Sequence, residues 1–302
     1  MNNKPEPADI ITAYRQHGVD LDPLSDAKEV YASECVFCGK SKFSINTDTS
    51  KFHCKSCEAY GNLTSFLERI HIESLESTSV DDYKELAANR NFLYPDSLVQ
   101  WQLAKSITTG DWLFPGYNLN SGKVNQLYQY KEVQDGDKKR RAWIPTKTVG
   151  HKLMGLNMWD QSKDVVYLLE GCWDAIAFWE VARGYKVKEN LKLVQTGSYS
   201  ASIAGKSNIV ATPGAMIFLD RWAPIFVGKQ VYLIGQNDHE RKNKKTGKTV
   251  KPASLSGMER ITKILTREGQ PPDETFIAWW GENGWDKDLP SGYDVRDLLT
   301  KP

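Results

Sequence analysis

The stretch YLLEGCWDAIAFWE, residues 167–180, decides how this chain is read. An apolar run ends in a carboxylate, Glu170. A glycine follows, and a second carboxylate, Asp174, stands just before another apolar run. VVYLL (165–169) reads as a buried strand, with the continuous apolar character of a parallel strand covered on both faces. AIAFWEVARG (175–184) reads as a helix that ends at Gly184. Ligands of open α/β sheets gather beyond the carboxyl ends of the strands. Glu170 stands at such an end, and Asp174 lies one turn further on, at the start of the helix.

Outward from this seam the pattern repeats. LKLVQTG (191–197) reads as a strand and turn, and AMIFLDRWAPIF (215–226) as a helix. QVYLI (230–234) is a second buried strand, followed by GQND. SGMERITKILTREG (256–269) is an amphipathic helix with a glycine stop, and TFIAWW (275–280) is a further strand. Alternating strands and helices imply an α/β sheet. Asp238 follows one strand; Asp294 and Asp297, in GYDVRDLL (292–299), follow the last. Carboxylates from separate strand ends therefore converge on one rim. Crowded carboxylates repel unless a cation neutralises them, and oxygen-only ligands suit Mg²⁺ or Mn²⁺.

Toward the N-terminus lies CVFCGKSKFSINTDTSKFHCKSC, residues 35–57. Cys35 and Cys38 form one CxxC, Cys54 and Cys57 a second, and 15 residues separate the pairs. Two close thiol pairs at this spacing fit a tetrahedral structural zinc site. The residues between read as two short strands around a polar turn, which makes the segment a zinc ribbon. Disulfides fit poorly, because MNNKPEPADI carries no secretory signal, and the chain reads as cytoplasmic. Four thiols suffice without His53. Cys172 reads as a packed thiol. Phe37, Phe43, Phe52 and Tyr60 either stack on bases or form the ribbon's small core, the latter for at least two of them.

Residues 60–98 read as helical and connecting, with YPDS ending the run. WLFPGYNLNSGKVNQLYQYKEV (112–133) carries a Pro-Gly turn and then Asn-Ser-Gly between extended segments, a hairpin signal. The expected architecture is multidomain α/β. A zinc ribbon with flanking helices spans 1–68, a helical connector 69–100, a small, mostly β, basic lobe 101–160, and an α/β sheet domain 161–302.

The length of 302 residues suits about two domains. No apolar run approaches the roughly 20 residues of a membrane span. Net charge is +1, so the chain as a whole is not a basic nucleic-acid binder. Charge is nevertheless clustered: residues 123–152 hold eight Lys/Arg against three Asp/Glu, and residues 239–251 six against one. Such clusters suit phosphate.

These motifs carry a resemblance. LLEGCWDAIAF resembles the EGxxDxxA motif of TOPRIM domains, which bacterial-type primases, type IA and II topoisomerases and some nucleases share. CVFCG…FHCKSC…YGNLTSFL resembles the zinc ribbon that precedes TOPRIM in bacterial and phage primases. LFPGYNLNSGKVNQLYQYK, KLMGLNMW and NIVATPGA resemble the primase segments leading into TOPRIM and into its DxD strand. The resemblance covers most of the chain in the family's order. It implies a DNA primase that makes short RNA primers on single-stranded DNA from ribonucleoside triphosphates. Glu170, Asp174 and Asp238 carry over as catalytic acids, and together with Asp294 as ligands of Mg²⁺ or Mn²⁺. The ribbon, with structural Zn²⁺, helps read the template start site. The basic lobe, through Lys138, Lys139, Arg140, Arg141, Lys147 and Lys152, holds template and nucleotide phosphates.

The family's DxD aligns with QND, so Gln236 replaces the first acid. An amide is a weaker magnesium ligand than a carboxylate. One ion position is lost, or Asp294 or Asp297 compensates. A catalytically degenerate TOPRIM that only binds DNA is the alternative reading, and a TOPRIM nuclease a further one. HERKNKKTGKTVKPASLS (239–256) intervenes where the family keeps a nearby glycine; it reads as a solvated basic loop or as a nucleic-acid contact. No GxxxxGK[ST] motor motif appears. The resemblance therefore implies a separate replicative helicase as partner, and a layout similar to phage or mobile-element primases.

Overall fold

The computed structural model describes the chain except residues 1–4, 23–26, 93, 136–137, 188–192, 216, 243–245, 268–271, 273, 279–285 and 301–302, and except the side chains of 135, 138, 187, 193, 278 and 298–300. Its internal contacts define two units, 1–83 with 102–152, and 84–101 with 153–302.

The first unit opens with α1 (Pro7–Gln16), whose proline sits in the first turn, where a missing N–H costs nothing. Strands β1 (Glu29–Tyr31), β2 (Phe43–Asn46), β3 (Lys51–Cys54) and β4 (Tyr60–Asn62) pair in that order, antiparallel throughout. β2 and β3 are the hairpin expected between the two CxxC pairs. Helix α2 (Leu63–Ser77) starts at an Asn62–Ser65 capping box and lays Phe66 against the sheet. Tyr14, Phe43, Phe52 and Phe66 form the buried centre, with ring centroids 4.8 to 6.4 Å apart where they meet.

A second antiparallel sheet belongs to the same unit: β5 (Ala104–Lys105), β6 (Trp112–Tyr117), β7 (Val124–Asp135) and β8 (Lys138–Pro145). Pro115 and Gly116 lie inside β6, not in the turn expected there, and the pairing register shifts between Gly116 and Tyr117. The turn falls at Asn118–Gly122, where the Asn118 side chain accepts from Asn120 and Ser121 N–H. Glutamines fasten α1 to this sheet: Gln129 Nε2 donates to Gln16 O at 2.6 Å, and Gln16 Oε1 accepts from Lys147 N at 2.7 Å. Beside them, fully buried His17 meets the Thr146 hydroxyl at 2.8 Å. That hydroxyl also lies 2.9 Å from Leu127 O, and His17 Nδ1 is buried without a partner.

Helix α3 (Val80–Asn89) contains the boundary between the units. In the second unit, YPDS opens a helix, α4 (Pro95–Gln100), with Pro95 in its first turn. Strands β9 (Val165–Leu169), β12 (Ser207–Ala211), β13 (Gln230–Ile234) and β16 (Glu274–Ala278) form one parallel sheet in the order β12-β9-β13-β16. Helix α5 (Cys172–Ala182) follows β9, and Cys172 is buried in its first turn. β10 (Tyr185–Val187) and β11 (Leu193–Gln195) form a separate antiparallel pair, so LKLVQTG contributes nothing to the main sheet. SNIVA supplies β12 instead, after the short helix α6 (Ile203–Lys206). The expected helix over 215–226 is a 3₁₀ segment at Asp220–Phe226, where Pro224 lacks the N–H an α-helix would use.

Val166, Leu168, Val210, Val231 and Leu233 pack on Phe218, Trp222, Phe226 and α7 (Ala253–Leu265). The opposite face is less covered than the apolar runs suggest, and β9 and β13 alternate buried with half-buried positions. Tyr167, Tyr232 and Phe276 are in register across three strands and stack on one another at 5.1 and 4.8 Å, and Tyr167 also packs on Phe178 of α5 at 4.8 Å. Two small elements complete this unit, the hairpin β14 (Arg241–Lys242) with β15 (Thr249–Val250), and α8 (Val295–Thr300). Among the described residues no helix is long and apolar enough to cross a membrane.

Burial, and secondarily the Lys131 charge, hold the His17 pKa down to about 3. The folded first unit therefore binds fewer protons here than the unfolded chain does. Its stability is full above pH 6.5 and falls as the pH drops toward 3, by up to about 1.4 kcal/mol per pH unit. Hydrogen exchange of β7 amides between pH 7.5 and pH 5 should show a steeper loss of protection in the native protein than in His17→Gln. Equal slopes would show that His17 does not set this pH dependence.

Candidate functional site

Each CxxC sits in a tight turn. Gly39 N donates to Cys35 O at 2.8 Å with φ +68°, and Cys54 N donates to Ala59 O at 2.8 Å beside Glu58 at φ +57°. Glycine adopts that backbone freely; Glu58 adopts it at a cost of order 1 kcal/mol. The turns bring the four sulfurs within 4.8 Å of one another, with Cys35–Cys57 at 4.0 Å and Cys38–Cys54 at 3.9 Å. Zinc bound by four thiolates at about 2.3 Å requires sulfurs about 3.8 Å apart, whereas a disulfide requires about 2 Å. The cluster fits structural zinc. Burial pushes the Cys35 thiol up to about 12 and raises Cys57. For Cys54 burial acts upward too, but N–H groups of Cys57 and Ser56 bring it to about 7. A cation resolves this frustration by holding all four as thiolates. His53 is exposed and outside the group.

Phe43 and Phe52 are core residues, and Phe37 lies half-buried under the Arg69 guanidinium at 4.0 Å. Tyr60 is 79% exposed. On the outer face of the four-stranded sheet, Tyr31, Ser44, His53 and Tyr60 stand in one row across β1 to β4. Ser44, His53 and Tyr60 of this row border a groove of about 610 Å³ that Lys51, Asn46 and Asn62 also line. Tyr31, 62% exposed, ends the row on the edge strand, and its place there depends on strand register, which carries no sequence signal.

In the second unit the acids do gather at the carboxyl edge of the parallel sheet. Glu170 follows β9, and Asp174, only 5% exposed, lies in the first turn of α5. Gln236 follows β13 and stands between them: its N–H donates to Glu170 Oε2 at 3.4 Å, and its side-chain amide to Asp174 Oδ2 at 3.4 Å. Gly235 permits this, since a Cβ there would lie 2.0 Å from Ser254 Oγ. Ser254 Oγ accepts from Gln236 N at 2.8 Å, and Ser254 N donates to Asp238 Oδ2 at 3.1 Å. Asp238 thus faces the N-terminal end of α7. Fully buried Asn237 ties the approach to α8: its amide donates to Asp286, Leu289 and Pro290 carbonyls, and its Oδ1 accepts from Asp286 N. Asp294, 4% exposed, accepts from Asp297 N at 2.9 Å and from Arg296 Nη2 at 2.9 Å.

Burial raises the pKa of Glu170, helped by the Asp238 and Asp294 charges. Burial, with the Asp294 charge behind it, raises Asp174 to about 8 against the opposing Arg296. Desolvated carboxylates with too little counter-charge are the setting a bound cation would relieve, and the donor set of Glu170 and Asp174 fits Mg²⁺ or Mn²⁺. Among the described residues no three acids close to the 4.8 Å span of the thiols.

The expected phosphate contacts differ in setting. Lys139, Arg140 and Arg141 occupy successive positions of β8 opposite Gln134, Val133 and Glu132. Lys139 pairs with Glu132 at 2.9 Å. Lys138 is in the same strand, but its side chain lies outside the described residues. Lys147 pairs with Asp9 at 3.5 Å, and the Lys152 stem lies against Gly116. Arg296, Ser254 and Asn237 belong to the site without having stood out in the sequence. Ser254 near a helix start was a findable signal; the other two act through folding alone.

No protein-family model matches the chain, and no curated protein matches it. Solved structures to which it is similar are bacterial and phage DNA primases. The Aquifex aeolicus primase, zinc-binding and RNA polymerase domains, is 15% identical at TM-score 0.44, over 98% of this chain and 82% of that one. The primase fragment of the bacteriophage T7 primase-helicase protein is 13% identical at TM-score 0.40, over 89% and 94%. A DnaG primase catalytic domain bound to single-stranded DNA is 14% identical at TM-score 0.43, over 79% and 74%.

Structural zinc contributes about 10 kcal/mol or more of apparent binding energy, comparable to a whole domain's stability. Chelation should abolish hydrogen-exchange protection across β1 to β4 and leave β9, β12 and β13 protected. Unchanged exchange around the cysteines would contradict the zinc assignment.

Proposed function

We propose that the protein is a DNA primase, which synthesises short RNA primers on a single-stranded DNA template by metal-assisted nucleotidyl transfer. One observation carries this reading: buried Asp174 and half-buried Glu170 stand at the carboxyl edge of a parallel sheet, short of positive charge, in a chain that also holds a four-thiol cluster. The motif resemblance between residues 35 and 180 supplies the reaction.

Glu170 and Asp174 are the residues that would hold Mg²⁺ or Mn²⁺, with Asp238 and Asp294 adding negative field from the rim. A divalent ion there would stabilise charge on the attacking 3′ oxygen and on the leaving phosphate oxygens. The chain's own residues do the positioning. The Gln236 amide orients the Asp174 carboxylate, Ser254 fixes the Gln236 backbone, and Arg296 neutralises Asp294. Asn237 braces the segment that carries Asp294 and α8. Lys138, Lys139, Arg140, Arg141, Lys147 and Lys152 carry the positive charge for template and nucleotide phosphates. The ribbon groove, lined by His53 and Tyr60, suits unstacked template bases. A separate replicative helicase is the expected partner.

A second reading, a DNA-binding replication protein without polymerase chemistry, is favoured by Gln236 standing where an acid would and by the Arg296–Asp294 pair. Primer synthesis separates the two. Zinc-loaded protein with Mg²⁺ or Mn²⁺, ribonucleotides, varied single-stranded templates and its helicase should yield short RNA. Glu170→Gln should lower the yield by about 10²-fold or more, and Gln236→Asp should raise it at limiting Mn²⁺. If native protein makes no primers while Asp174→Ala keeps full function in cells, the binding-only reading stands.

A further inference from the structure

The insertion at 239–251 is a hairpin rooted in the acidic site. β14 and β15 pair in register, Arg241 with Val250 and Lys242 with Thr249. The hairpin leaves the rim at Asp238 and returns at Ser254, and these two residues are bonded to each other at 3.1 Å. Arg241 and Lys242 are three and four residues from Asp238, and Lys248 six from Ser254. An extended chain covers at most about 3.6 Å per residue, so their backbones lie within about 11, 14 and 22 Å of the rim before the side chains extend. The root is fixed by His239, whose N–H donates to Ser291 Oγ at 3.1 Å and whose Nε2 meets Asp286 O at 2.9 Å.

The hairpin contributes little to any core. Arg241 and Lys242 are exposed, as are Lys248 and Thr249, and Val250 is only half-buried. A two-stranded ribbon of this length is marginal in water. Lys251 is ion-paired with Glu259. Among the described residues no carboxylate forms an ion pair with Arg241, Lys242 or Lys248. Three cations therefore face solvent on a hairpin whose two ends join the rim, where Gln236 stands in place of an acid and weakens the case for a further metal ion. A triphosphate needs that missing positive charge, and Arg and Lys supply it directly.

We propose that Arg241, Lys242 and Lys248 of the β14–β15 hairpin bind the triphosphate of the incoming ribonucleotide, supplying positive charge in place of a metal ion that an acid at position 236 would hold. This rests on the primase reading for the identity of the nucleotide; the phosphate chemistry is shared with a DNA backbone, and the test separates the two sources.

The test combines Arg241→Ala, Lys242→Ala and Lys248→Ala in the full chain, with folding checked by circular dichroism. Inorganic triphosphate is titrated calorimetrically in Mg²⁺-free buffer, and a fluorescein-labelled oligothymidine by anisotropy at fixed salt. Native protein should bind triphosphate, and the triple variant should bind it about tenfold or more weakly, with oligothymidine affinity unchanged. Unchanged triphosphate affinity, or no binding by native protein, would overturn the assignment. So would a loss confined to oligothymidine, which would make the hairpin a template contact. Primer synthesis is scored separately: its absence with triphosphate binding intact would sink the primase reading and leave the phosphate site.

Discussion

Two carboxylates with more burial than counter-charge set the terms for the C-terminal unit. Glu170 and Asp174 come from one strand-to-helix seam, and desolvation works against the ionised form of both. Their neighbours make the imbalance local. Asp238 is answered by the N–H at the start of α7, and Asp294 by Arg296 and by the first turn of α8. The unanswered charge lies between β9 and β13, the position where an open parallel sheet presents its ligands. Gly235, Ser254 and Asn237 make sense as devices that keep the rim in place around that deficit.

The same logic runs through the N-terminal unit with a different donor. Four thiols within 4.8 Å cannot all ionise without a cation, and the sheet that carries them has only a small aromatic centre to hold it. A thiol cluster of this kind fits zinc that serves the folding of β1 to β4, and the chemistry proposed for the protein is assigned to the acids. The distinction follows from the donor sets: four thiols suit a site filled by protein, whereas carboxylate oxygens suit a hard divalent ion that keeps some of its waters.

Much of this was legible in the sequence because it rests on short-range spacing. The CxxC pairs, the β2–β3 hairpin, the VVYLL strand and the Glu170–Asp174 seam are local patterns, and each appears where the sequence places it. The features that escaped depend on long-range register or on competing rules. SNIVA mixes polar and apolar residues yet becomes an edge strand because it pairs with β9. Pro115-Gly116 is a turn signal that burial in β6 overrides. Pro224 turns an apolar, helix-like run into a 3₁₀ segment. Arg296, two residues beyond a recognised acid, becomes part of the site only because α8 packs on α5.

The most direct measurement is Mn²⁺ binding by electron paramagnetic resonance, with the zinc site kept loaded. Native protein should take up Mn²⁺, and Glu170→Gln and Asp174→Asn should each lose that uptake, while Lys139→Ala binds as the native protein does. Uptake that survives both acid substitutions, or no uptake by the native protein, would contradict the assignment of these two carboxylates as a cation site.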